Sequence, residues 1–215
     1  MDWAGQADAA VARYRDGESR LVEDADQRQR QLTRLGNAAW AAGLCLLMTG
    51  RTRESAAWLL KAAGRYGESW QLAPPGSWGR PIGMLKALLL AGNDGAPEIA
   101  TWTLETGAAA VESPIGRYAG TLALLVLGRD DEAAAVAVTL EGRDDFPHDV
   151  AAALHALAAG DRDAYRAAVT SVLVSFETRS EFLEDVAVAD TVLVLQRLAA
   201  ERGLAAELPS SPLLP

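Results

Sequence analysis

Two histidines, His148 and His155, stand seven positions apart with Asp144, Asp145 and Asp149 beside them. These residue types bind metals or move protons. On one helix, however, the pair is separated by roughly 10 Å at a rise of about 1.5 Å per residue, too far to share an ion. Ala151, Ala152, Ala158 and Ala159 surround His155 in sequence, which predicts a packed, hydrogen-bonded imidazole. Asp144-Asp145 reads as a turn, and Asp149 suits a first helical turn, where the helix dipole favours an acid. The carboxylate runs Asp130-Asp131-Glu132 and Glu181, Glu184, Asp185 also read as helix starts. Hydrolysis needs carboxylates that converge in a pocket, and neither run has an adjacent base. Asp190, flanked by Val186, Ala187, Leu193 and Val194, reads as a partly buried acid that requires an arginine partner.

Other chemistries lack their signatures. Gly64, Gly67, Gly76, Gly79 and Gly83 do not have phosphate-loop or dinucleotide spacing, and no serine lies in a nucleophile elbow. Cys45 is the single cysteine and sits in an apolar run, so it reads as an inert core thiol. The sequence therefore predicts no catalytic residue, no cofactor and no metal. One segment asks for a use: Tyr66 to Pro81, a Pro/Gly-rich connection carrying Trp70, Trp78 and Arg80. Tryptophan and arginine are enriched in binding hot spots, and connections carry function more often than helices do. Trp70, Trp78 and Arg80 are the candidate partner-binding residues; the competing reading folds both indoles back over the ends of the helices. As binding residues, Trp78 and Arg80 would tolerate truncation with little loss of stability.

Helical periodicity supplies the elements that position these groups. Trp3, Ala7, Ala10, Val11 and Tyr14 follow the i, i+3, i+4, i+7 pattern, and Asp16-Gly17 breaks it. A charged stretch then leads into an apolar helix ending at Met48. From there one plan recurs: an apolar helix, a glycine, a polar turn and an Ala-rich helix. Gly50, Gly92, Gly128 and Gly160 mark it. Glycine at that point supplies the left-handed residue that closes a helix. Pro81, Pro97, Pro114 and Pro147 stand where helices begin, Ser113 serves as an N-cap, and Thr178 with Glu181 predicts a capping box for the last helix. The β-branched run Val169 to Val174 lies inside a helical pattern, and only Leu72 to Arg80 and Glu207 to Pro215 look irregular.

The expected fold is all-α, with about ten helices in stacked antiparallel hairpins, an α-solenoid. It is read as one domain: a charged N-terminal segment (1–34), repeated hairpins (35–176), a C-terminal capping helix (177–204) and a Pro-rich tail (205–215). The 215 residues carry a net charge of −9, and half are apolar. That balance excludes a disordered chain and disfavours nucleic acid and anionic membranes as partners. Met1 to Gln6 lacks a basic and apolar leader, and the uncharged stretch Leu35 to Gly50 is shorter than the ~20 residues that span a bilayer. The expectation is a soluble, cytoplasmic protein with a protein partner; oligomeric state is left open.

Residues Gly43, Gly50, Ser55 and Ala62, with Leu46 and Leu59 at bulky positions, resemble a tetratricopeptide repeat. The hairpin around Gly128 resembles it less closely, with Gly120 displaced by one position. The C-terminal residues Asp190-Thr191-Val192-Leu193, Leu198 to Leu204 and Pro212-Leu213-Leu214-Pro215 resemble the closing segment of the immunity 49 family, and Leu35 to Ala42 is compatible with it. The first resemblance implies a binding scaffold. The second implies an immunity protein that neutralises a toxin by binding, and net −9 suits a basic partner. A generic adaptor or regulatory scaffold is the alternative.

Overall fold

Acidic and polar caps start four of the helices, and apolar faces hold the helices together. In the computed structural model, which describes residues 1–215, ten α-helices follow one another without a strand. They are α1 (Trp3–Glu18), α2 (Ala25–Met48), α3 (Thr52–Leu72), α4 (Gly79–Ala91), α5 (Ala96–Glu105), α6 (Pro114–Val126), α7 (Asp130–Ala137), α8 (His148–Ala158), α9 (Arg162–Thr178) and α10 (Asp190–Glu201). Short 3-10 turns cover Ala108–Ala110, Val138–Leu140 and Leu183–Asp185. Asp2, Asp24, Ser113 and Asp161 each accept a backbone N–H three residues on, satisfying donors that a helix start leaves open. No helix is long and apolar enough to cross a membrane.

The predicted glycine turns are present. Gly50, Gly92, Gly128 and Gly160 all have left-handed φ, between 63° and 74°. At Gly50 the glycine N–H reaches the Leu47 carbonyl (3.0 Å) and the Arg51 N–H reaches Leu46 (3.0 Å). The same pair of bonds closes α6, from Gly128 to Leu125 (3.2 Å) and from Arg129 to Leu124 (3.0 Å). This is the Schellman closure, and a Cβ at the left-handed position would be strained. The next helix begins with a second shared feature: Arg51 clasps Glu54 through both carboxylate oxygens (2.8 and 2.6 Å), and Arg129 clasps Glu132 likewise (2.7 and 2.6 Å).

The chain divides into two compact units. The first comprises Met1–Asn93, Ser180–Val188 and Pro212–Pro215; the second comprises Asp94–Arg179 and Ala189–Ser211. Within the first, α1 packs on α2, α2 on α3 and α3 on α4, while the 3-10 turn at Leu183–Asp185 lies against α2. Within the second, α5 to α9 each pack on the next helix in sequence, and α10 lies against α8 and α9. Arg202 ties two of these helices together, donating from Nε to both oxygens of Asp130 (3.1 Å each) and from another nitrogen to the Leu198 carbonyl (3.0 Å).

The α2–α3 pair shows why small residues recur. Ser55 donates to the Gly43 carbonyl (2.7 Å), and Ser69 donates to the Gln29 carbonyl (2.8 Å), so the helices run antiparallel. Between those points, Gly43 faces Leu59 and Gly36 faces Tyr66 at distances that leave no room for a Cβ. The Tyr66 ring is clamped on its other edge by Gly83 of α4, and its hydroxyl donates to Asn37 Oδ1 (3.0 Å).

One predicted boundary is corrected. Thr178 does not cap the last helix: it ends α9, its hydroxyl donating back to the Val174 carbonyl (3.0 Å). Residues 179–189 are not α-helical, because Glu184 and Asp185 both adopt left-handed φ (56° and 58°), which an α-helix cannot accommodate. The last helix starts at Asp190 instead.

Glycine substitutions separate these roles. A Cβ on Gly36 would sit 2.6 Å from a ring that Gly83 prevents from retreating, so Gly36→Ala should cost about 1–3 kcal/mol. Gly128→Ala should cost about 1 kcal/mol through left-handed strain. Gly64→Ala, with open space around it inside α3, should stabilise by roughly 0.5–1 kcal/mol. Urea unfolding midpoints of the three variants check this order.

Candidate functional site

The segment singled out by its Trp and Arg content joins α3 to α4. Trp70 lies in the last turn of α3, Pro74 to Ser77 turn the chain, and Trp78 stands as the residue before α4. The turn is held locally: the Ser77 hydroxyl donates to the Pro74 carbonyl (2.7 Å) and the Trp78 N–H to the Gly76 carbonyl (2.8 Å). Gly76 takes a left-handed φ of 83°. This geometry brings the two indoles together, with centroids 5.5 Å apart and planes tilted by 43°. Trp70 is half-buried, whereas Trp78 is only 7% exposed.

Arg80, the second residue of α4, points across to α2 and α3. It donates to Gln29 Oε1 (2.7 Å) and to Ser69 Oγ (3.3 Å). Ser69 in turn lies 2.8 Å from the Thr33 hydroxyl, and Gln29 donates to Asp26 Oδ1 (3.3 Å). The result is a polar chain linking three helices, in which the half-buried guanidinium meets neutral oxygens and no carboxylate. Burial pulls its pKa below the usual arginine range. All three candidate residues thus belong to one assembly, with Trp78 packed inside it and Trp70 and Arg80 partly accessible.

The other singled-out groups are dispersed. His155 is half-buried on α8 and places Nδ1 2.6 Å from Glu141 Oε1. His148, at the start of that helix, is exposed. Asp190 accepts from the backbone N–H of Thr191 (2.8 Å) at the start of α10. No group of three His, Cys, Asp or Glu side chains is placed to hold a metal ion. Cys45 is fully buried in α2, 3.9 Å from Gln6 Oε1, and burial pushes its thiol up to about 11.

No protein-family model, curated protein or solved structure matches this chain. Its chemistry is therefore read from its own side chains. Long-range ion pairs escaped the sequence pattern altogether. Arg202 with Asp130 and Arg13 with Glu184 (3.4 Å) join residues far apart in the chain, and no local spacing signals either.

Two outcomes follow from this geometry. Trp78→Ala removes a buried indole and should lower stability by about 3 kcal/mol, whatever it does to a partner; thermal or urea unfolding measures it. Cys45 contributes a pH dependence. Its folded pKa lies above that of an exposed thiol, so its contribution is intact below about pH 8.5 and is lost as pH rises toward about 11. Stability measured between pH 8 and 10.5 should fall less steeply in Cys45→Ala than in the parent.

Proposed function

We propose that the chain is a non-enzymatic protein-binding module built of tetratricopeptide-like helical hairpins. In the specific form of this reading it is a cytoplasmic immunity protein that binds and neutralises a basic toxin. The observation that carries it is the recurring junction: a left-handed glycine closes one helix and an Arg–Glu clasp opens the next, at Gly50–Glu54 and again at Gly128–Glu132. Equivalent junctions are what a stack of equivalent hairpins requires, and such stacks present extended surfaces to other proteins. Gly43, Ser55 and Ala62 at the α2–α3 crossing support the same reading, since close backbone approach needs small side chains there.

The charge of −9 supports a basic partner through electrostatic steering, and the similarity of Asp190 to Leu204 and Pro212 to Pro215 to immunity 49 proteins supports a toxin as that partner. Trp70 and Arg80 offer accessible aromatic and guanidinium surface for contact, over a base stiffened by Trp78. Arg80 uses two of its five donors within the chain, which leaves donors for a partner's carbonyl or carboxylate. A generic adaptor differs in having no toxin to neutralise.

Co-expression with the product of a neighbouring toxin-like gene tests the proposal. Cells should survive that product only when this chain is present, and the purified pair should form a complex whose association slows as salt rises. Complex formation without rescue would establish the adaptor reading instead, and neither rescue nor complex would end the immunity reading.

A further inference from the structure

The chain is acidic overall, yet one cleft in its first unit brings three arginines together. α1 contributes Arg13, Asp16 and Gly17, α2 contributes Gln31, Arg34, Leu35 and Ala38, and Arg20 and Glu184 close the rim around about 390 Å³. That volume lies in the range of small-molecule sites, roughly 300–1,000 Å³. Gly17 allows Leu35 to come close to α1, so the floor of the cleft is apolar while its walls carry cations.

The charges in this cleft are unevenly matched. Arg20 pairs with Asp16, and Arg13 Nε lies 3.4 Å from Glu184 Oε2. Arg34 is exposed and engages no hydrogen bond or ion pair. Three guanidiniums therefore face two carboxylates, a local excess of +1 in a chain of net −9. Glu184 also reaches the cleft at a conformational cost, because it and Asp185 are the only non-glycine residues with positive φ. Non-glycine residues held there are uncommon and cluster at ligand clamps and switch segments.

We propose that this cleft binds a small oxyanion attached to an apolar body, a carboxylate or a phosphate ester, with Glu184 acting as a tethered competitor. The oxyanion sits between Arg34 and Arg13, where planar guanidiniums donate paired hydrogen bonds. The apolar body rests on Leu35 and Ala38. Glu184 holds Arg13 in the empty site and gives it up when the ligand arrives, which releases two consecutive residues from left-handed backbone. This site is separate from the Trp70–Arg80 assembly and does not depend on the protein-binding reading.

Isothermal titration of the full chain with phenyl phosphate, benzoate and inorganic phosphate tests it. Phenyl phosphate or benzoate should bind saturably with a Kd below about 1 mM, and the tighter of the two identifies the anion class. Inorganic phosphate, which lacks the apolar body, should bind at least about fivefold more weakly than phenyl phosphate. Arg34→Glu, an exposed substitution that should leave the fold intact by circular dichroism, should weaken binding by about tenfold or more. Glu184→Gln should tighten it by about three- to tenfold, because the competitor loses its charge. No saturable binding by the parent and Glu184→Gln up to about 10 mM, or binding unchanged in Arg34→Glu, would overturn the proposal.

Discussion

The first unit depends on how closely its helices can approach, and one side chain sets that limit. Tyr66 of α3 fits edgewise between Gly36 of α2 and Gly83 of α4, in space that a β-carbon on either glycine would occupy. A packed interior transmits such contacts because it has few voids into which a displaced ring could move. The spacing of α2, α3 and α4 follows from it, and so does the reach of Arg80, which spans from α4 to Gln29 on α2 and Ser69 on α3. Gln29 and Ser69 are themselves joined through the Gln29 carbonyl. The aromatic clamp and the polar chain above it thus fix the same three helices, one by shape and the other by direction.

Local signals in the sequence carried most of the helix plan. Glycine at a helix end and Ser or Asp at a helix start act within a few residues, so Gly50, Gly92, Gly128, Gly160, Ser113 and Asp161 mark real boundaries. The same reasoning failed at Thr178 because a threonine hydroxyl can also bond backwards, and here it donates to the Val174 and Ser175 carbonyls of its own helix. The α3–α4 connection was legible as irregular and rich in hot-spot residues. The degree to which Trp78 is enclosed was not, since burial depends on helices that the segment itself does not contain. Distant pairs were invisible for a related reason. Arg13 with Glu184 and Arg202 with Asp130 have ordinary surface compositions in sequence and become partners only when the chain folds back.

Charge is distributed with more structure than the total implies. Several arginines are consumed by neighbours three or four residues away, as at Arg51–Glu54, Arg129–Glu132 and Arg166–Asp163. Exposed pairs of this kind contribute little to stability, about 0–1 kcal/mol each. Their larger effect is to silence cations locally, leaving the acidic excess to set the far field. Against that background two arginines without a carboxylate bear on binding. Arg34 lacks a partner at the surface, and Arg80 is half-buried among neutral oxygens.

The interleaving of the two units has a consequence for synthesis on the ribosome. The first unit takes Ser180–Val188 from beyond the whole of residues 94–179, and Val186 and Val188 are buried in the finished protein. At roughly 5–20 residues per second, α1 to α4 would wait about 4–17 s after emerging before that segment is made. During the interval the face of α2 that receives the 3-10 turn stays bare. The nascent chain cannot mature as an N-terminal half followed by a C-terminal half. Its vectorial folding lays a strap down late on helices made early, and completes the first unit only with Pro212–Pro215.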